Sequence, residues 1–340
     1  MRIGIHYTKG FFTERWIEYC NTNNICYKLV NCYENDIINQ LSDCDALMWQ
    51  FHHNNPKSIL FAKQLVYSVE ASGKKVFPNF NTVWHFDDKV GQKYLLEAIE
   101  APLAQTWIFY DKTKALKWAE NIDFPKVLKL RGGAGSQNVR LVNNRKQAFR
   151  LIRQAFNHGF PAYGPAGSLK ERWRLFKNRK TDFKDIVAGM ARFIVPPPYS
   201  SIKGREKGYI YFQEYISGID HDVRVVVIGD KAFAIKRMVR KNDFRASGSG
   251  NILYGMHLFN ESTIKLSFDI AKRLNSQCVA LDYVHDNGNP FLVEISYGFS
   301  PEGYDPCPGY WDENLIWHEV GFNPYGWMVE NLISEVKRIR

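Results

Sequence analysis

Residues 278–296 read CVALDYVHDNGNPFLVEIS, two apolar runs joined at Asn287-Gly288, the pattern of a β-hairpin. Strand side chains alternate faces, so Val279, Leu281 and Tyr283 share one face, and Phe291, Val293 and Ile295 share one face of the partner strand. These faces are expected to build a core. The opposite face then carries Asp282 on one strand and Glu294 and Ser296 on the other. An isolated carboxylate in an apolar interior costs at least several kcal/mol, so Glu294 faces either water or a cation. A tight two-residue loop would put Asp282 and Glu294 out of register; a three-residue loop or a bulge would place them directly opposite. Carboxylates at that spacing repel unless a cation lies between them, and such oxygen ligands suit Mg²⁺ or Mn²⁺ completed by water and phosphate. Two solvent-facing acids on a sheet edge is the plainer alternative.

Upstream, residues 1–80 alternate short apolar runs (RIGIHY, CYKLVN, DALMWQF, KKVFPN) with helical stretches, the rhythm of βαβ units around a small parallel sheet. Ligands bind beyond the carboxyl ends of such strands, where His52 and His53 fall, either as a plain loop or as a substrate contact. HFDDKVGQKYLLEAI predicts a capped helix beginning near Asp87. FPKVLKLRGGAGSQNVRLV reads as strand, glycine-rich turn, strand; glycines let backbone N–H groups close on a ligand's oxygens. It lacks the Lys-Ser/Thr of a Walker A loop and the third glycine of a dinucleotide fingerprint. Residues 157–207 are rich in Gly, Pro and basic side chains and resemble an insertion or mobile flap more than a core element, with no strand assigned. Three strand-like runs follow (YIYFQEYI, DVRVVVIG, KAFAIKRMV), then a polar loop, the helix STIKLSFDIAKRLN and the hairpin.

With 340 residues, 45% of them hydrophobic, the chain exceeds one average domain, and two or three are expected. It has neither an apolar run long enough to span a bilayer nor an N-terminal signal segment, and its six cysteines show no metal spacing, which predicts reduced thiols in the cytoplasm. The net charge of +10 points to anionic partners or substrates. Part of it sits in LKERWRLFKNRK, residues 169–180, either a solvated helix face or a contact for phosphate, glycan pyrophosphate or a membrane surface. Nothing there resembles an aromatic-basic nucleic-acid platform.

Five segments in order, DDKVGQKYLLE, PKVLKLRGGAGSQNV, QEYISGIDHDVRVVVIGDK, AIKRMVRKNDFRAS and ALDYVHDNGNPFLVEISYGFSPEG, resemble the ATP-grasp superfamily, in its RimK-like carboxylate–amine ligase branch. The resemblance spans about residues 85–305. It implies an α/β (α+β) fold: an N-terminal parallel α/β domain over 1–85, then two α+β subdomains, 86–210 and 211–340, that clamp ATP. It also implies that Lys89 and Lys129 touch the phosphates under a lid at 132–138 that includes Gly132, Gly133, Gly135 and Ser136. Gln213, Glu214, Tyr215 and Ile216 would form the adenine hinge, with Asp222 at the nucleotide. Arg245, beside Ser247, would meet the transferred phosphoryl group, and Arg224 and Arg237 a substrate carboxylate or acyl phosphate. Asp282, Glu294 and Ser296 would hold Mg²⁺ or Mn²⁺. Two departures stand out: Ser296 occupies a position where relatives usually carry Asn, and Lys236 one where they often carry Glu.

The implied reaction is ATP-dependent joining of a carboxylate to an amine through an acyl phosphate. The aromatic tail YGFSPEGYDPCPGYWDENLIWHEVGFNPYGWM suits sugar rings, though a rigid core-covering loop explains it equally well. The substrate reading favoured is a uronic-acid-containing glycan or nucleotide sugar receiving an amino acid in surface polysaccharide synthesis. A peptide or protein carboxylate, a non-catalytic ATP-binding module and an ATP-grasp kinase remain alternatives, and a homodimer is an open expectation.

Overall fold

The computed structural model describes residues 1–52, 55–132, 138–177, 181–239 and 250–338. The first sheet contains β1 (Ile3–His6), β2 (Tyr27–Val30), β3 (Ala46–Met48) and β4 (Lys75–Phe77), all parallel in the order β2-β1-β3-β4. Helices α1 (Phe12–Thr22), α2 (Ile37–Gln40) and α3 (Pro56–Ala71) link these strands. Asn55 caps α3, accepting from the backbone N–H of Lys57 and Ser58, with Pro56 where no N–H partner is needed. Short α4 (Phe80–Val83) leads to α5 (Lys89–Ala98), whose N-cap is Asp88, accepting from Gly91 N.

A second, antiparallel sheet carries β5 (Thr106–Phe109), β6 (Lys126–Lys129) and β7 (Val139–Val142), with α6 (Lys112–Asn121) and α7 (Arg145–Asn157) packed on it. The 157–207 segment is mainly helical: between the two-residue partners β8 (Phe160–Pro161) and β9 (Arg205–Glu206) it forms α8 (Pro165–Lys177), α9 (Phe183–Ala191) and α10 (Pro198–Lys203). The two-residue ladder closes the base of the insertion. The chain returns to the second sheet as β10 (Ile210–Glu214), between β5 and β6.

The third sheet is antiparallel, with β11 (His221–Ile228), β12 (Lys231–Met238), β13 (Ile252–Leu253), β14 (Cys278–Asp286), β15 (Asn289–Ser296), β16 (Tyr310–Asp312) and β17 (Trp317–His318). Helix α11 (Glu261–Leu274), ended by Asn275 in the left-handed region (φ 49°), covers one face with Leu96 of α5. The other face packs Phe233, Ile235 and Ala280 into the same core as Ile3, Ile5, Phe12 and Trp16, joined there by α13 (Pro324–Lys337). Short α12 (Pro301–Tyr304) follows the hairpin.

The hairpin turns on two residues, Asn287 and Gly288, so Asp286 pairs with Asn289. Asp282 nevertheless pairs with Glu294, because a bulge at Val293 adds one residue between the Tyr283–Leu292 and Asp282–Glu294 pairs. The bulge corrects the expected core face. Leu292 and Ile295 are buried with Leu281 and Tyr283, while Phe291 and Val293 are only half-buried. Much of the aromatic tail is core: Trp311, Tyr325 and Trp327 are all buried, so the rigid-core explanation accounts for them.

Candidate active site

The three sheets meet around a cavity of about 430 Å³. One end is an apolar slot. Val127 and Val139 come from the second sheet, Val284 and Val293 from the third and Val239 from just after β12, with the chain segment Gln213–Ile216 along its edge. β10 ends at Glu214, whose Oε1 is 2.9 Å from Lys126 Nζ, so the segment leaves the sheet from a fixed point. Such a slot accepts a flat heteroaromatic ring whose polar edge is read by backbone groups.

The middle of the cavity is charged. Lys89 opens α5 and Lys129 closes β6; they are only 4% and 7% exposed. Lys89 Nζ lies 2.9 Å from Glu294 Oε1. Burial works against its charge, but Glu294, with help from Asp87 and Asp282, outweighs burial and holds the ammonium above its ordinary pKa. Lys129 Nζ donates to the carbonyl of Val293 at 2.9 Å, the residue that the bulge turns out of the regular ladder. Burial lowers Lys129 to about 8, only partly offset by Glu294.

Asp282 is held from the neighbouring strands. It stands opposite Arg224 in the β11–β14 ladder, and Arg224 Nη2 donates to Oδ2 at 2.6 Å while Nε donates to Oδ1. Arg237 Nη2 lies 3.0 Å from Asp282 Oδ2 and 2.7 Å from Asp222 Oδ2, with Nε 2.6 Å from Asp222 Oδ1. Burial alone would raise the Asp282 pKa; the two guanidiniums more than reverse it and hold it far below the usual carboxylate range.

Of the residues singled out from sequence, Lys89, Lys129, Gln213, Glu214, Tyr215, Ile216, Asp222, Arg224, Asp282, Glu294 and Ser296 all line this one cavity. Gly132 lines an adjoining cavity of about 300 Å³ that shares Phe51, His52, Phe86 and Asp87 with the first. Arg237 does not line the main cavity; its fork is turned to Asp222 and Asp282. Gly133, Gly135, Ser136, Arg245, Ser247 and His53 lie outside the described residues. Sequence reasoning gave no site role to Asp87, which pairs with Lys203 from the end of α10, nor to Phe11; the Gly298–Glu302 turn, part of the tail read as suiting sugar rings, also lines the cavity. Of Asp87 and Phe11, only Asp87 carried a local signal, in the paired acids of HFDDK, and they were read as a helix cap.

Among the described residues no cluster of three or more His, Cys, Asp or Glu could hold a metal. The oxygen donors still fit a hard cation in part. Glu294 opens on the cavity with its side chain 33% exposed, whereas both Asp282 oxygens are engaged by guanidiniums. Ser296 Oγ accepts from Gly298 N at 3.2 Å, closing the strand end beside them.

Residues 199–304 match the model of the RimK-like ATP-grasp domain. The fold matches that of a RimK-domain ATP-grasp protein from Sphaerobacter thermophilus, at a TM-score of 0.57 and 12% identity over 98% of this chain and 100% of that one. This chain has the ATP-grasp fold. A D-alanine–D-alanine ligase from Bacillus anthracis, solved with ATP, shares the ATP-grasp architecture at a TM-score of 0.57 and 12% identity, covering 100% of this chain and 97% of that one. In sequence, the α-aminoadipate–LysW ligase LysX of Saccharolobus solfataricus is 20% identical over 229 residues, 67% of each chain. All six cysteines of this ATP-grasp chain are free, and no described helix is long and apolar enough to cross a membrane.

Proposed function

We propose that the chain is an ATP-dependent carboxylate–amine ligase. The observation that carries this reading is the pairing of an apolar slot with two buried lysines, Lys89 and Lys129, beside the Asp282–Glu294 pair in a single cavity. Phosphoryl transfer is chiefly positioning and neutralisation of spread negative charge, and buried ammonium groups with no room to rearrange supply both. The adenine ring would fill the slot along Gln213–Ile216, leaving Lys129 and Lys89 on the phosphates. A Mg²⁺ or Mn²⁺ ion would be held chiefly by Glu294, with Asp282, whose oxygens Arg224 and Arg237 already engage, and Ser296 beside it, and would supply further neutralisation of the phosphates.

The substrate carboxylate enters from the opposite end, where Phe11, His52 and the Ser300–Glu302 turn lie, and takes the γ-phosphoryl group as an acyl phosphate. The amine then attacks the acyl carbon. The C–N bond forms as the C–O bond to phosphate breaks, giving an amide, ADP and phosphate. The site has to exclude the water that would hydrolyse the intermediate. A uronic-acid-containing glycan or nucleotide sugar joined to an amino acid, in surface polysaccharide synthesis, is our substrate reading. Its support in the structure is confined to this mixed aromatic and acidic end, since the tail tryptophans are spent on the core.

The test is ADP release with uronates, peptides and amino acids, with products read by mass spectrometry. An amide that forms only with ATP and both substrates supports the reading. A phosphorylated product that persists without an amine makes the protein a kinase, and tight ATP binding without turnover makes it a binding module.

A further inference from the structure

Helices α8 and α9 pair closely through Gly189, where a Cβ would stand 2.7 Å from Arg172 Cδ, and Arg172 also binds Asp185 across the pair. The outer face of this helical hairpin is apolar. Phe183, Val187 and Met190 stand at helical spacing along α9 and are 59%, 47% and 47% exposed; Phe193, Ile194 and Val195 extend the patch through the following turn. On α8, exposed Trp173 stacks toward Phe176 at 6.1 Å between ring centroids, and Phe176 meets Phe183 at 6.1 Å, so one aromatic chain crosses both helices. Such a run of exposed apolar side chains marks an interaction surface.

The surroundings say what kind. Residues 165–203 hold nine Lys or Arg against three Asp or Glu, a surplus of six in a chain whose total is +10. Lys170, Lys177 and Lys184 are exposed beside the patch, and Lys177 Nζ sits 5.8 Å from the Trp173 ring centroid. Of the three acids, Glu171, Asp182 and Asp185, Asp185 is paired with Arg172 and Asp182 is exposed at the start of α9. An apolar stripe with Trp and Phe, rimmed by lysines, fits the boundary between headgroups and acyl chains of an anionic bilayer. No described helix is long and apolar enough to span one, so the contact is interfacial.

We propose that the α8–α9 hairpin docks the protein on anionic membrane surfaces. The inference is independent of the ligase reading. The test is co-sedimentation of the full chain with phosphatidylglycerol-containing vesicles and with pure phosphatidylcholine vesicles. The wild type should pellet with the former, and the bound fraction should fall steeply as salt rises. Val187→Glu with Met190→Glu, and separately Lys177→Glu with Lys184→Glu, should each weaken binding roughly tenfold. Unchanged thermal midpoints would show that the variants still fold. Binding that is equal on both vesicle types, absent from anionic ones, or untouched by either pair of substitutions overturns the proposal. So does a wild-type dimer that Val187→Glu with Met190→Glu converts to monomer without vesicle binding, or salt-sensitive binding to RNA alone.

Discussion

Arg224 grips Asp282 through both oxygens of the carboxylate, its Nη2 2.6 Å from Oδ2, across the β11–β14 ladder. The acid at the heart of the site is thus ionised by its neighbours before any ligand arrives. Arg224→Ala leaves Asp282 to Arg237 alone, and breaking a buried pair of this kind should destabilise the fold by about 3 kcal/mol, read by urea unfolding. Because the Asp282 pKa is depressed in the folded state, the stability it contributes is fully present above the unfolded carboxylate pKa and is lost only as pH falls toward its folded value. The variant should therefore lose its stability at higher pH than the wild type.

Lys129 titrates near the working range. Burial lowers it to about 8, and a bound phosphate would favour its charged form. Nucleotide affinity should stay level below pH 8 and fall above it, as binding comes to require proton uptake. Calorimetry of ADP binding in two buffers of different ionisation enthalpy reads that uptake. A proton count of zero at pH 9 would remove Lys129 from the phosphate site. In the ligand-free protein the sign reverses: the folded pKa lies below the unfolded one, so stability should rise between about pH 8 and 10.

Tyr297 is buried, and its hydroxyl donates to the carbonyl of Phe51 at 2.6 Å, tying the hairpin's end to the loop after β3. Tyr297→Phe leaves that carbonyl without its donor and should cost about 1–2 kcal/mol in chemical denaturation. Phe51 lines both cavities, so KM values should rise as well.

Lys203, the last residue of α10, pairs with Asp87, two residues before Lys89. Lys203→Ala should raise the KM for ATP about fivefold, the equivalent of about 1 kcal/mol for a partly buried ion pair, with little change in melting temperature. Steady-state kinetics with varied ATP checks it. An unchanged KM would mean that the insertion has no hold on the site.

Much of this site could be read from the chain because its signals are local. The opposition of Asp282 and Glu294 follows from alternation plus a bulge, and the acidic cap marks the start of α5, whereas the place of Lys89 in the site was implied by the family resemblance alone. The bulge itself has no local signature, which is why Phe291 and Val293 were expected in the core and Leu292 was not. The clasp of Arg224 and Arg237 on Asp282 depends on the register of strands about 45–60 residues apart, which local spacing does not encode. Helix α9 was missed, and α8 was read only as one alternative for 169–180, for another reason: basic and apolar residues intermix there because the apolar face is left outside.

The shared core of the first and third sheets also decides which parts can move. Phe12 and Trp16 are interlocked with Phe299, Tyr325 and Phe77, so these two sheets form one immobile anvil. The second sheet reaches that anvil through the short Leu103–Leu292 bridge, the Lys129–Val293 hydrogen bond and the Arg131–Asp88 and Lys203–Asp87 ion pairs. The second sheet is therefore the part held mainly by polar ties rather than by shared core, and one of those ties is carried by the insertion.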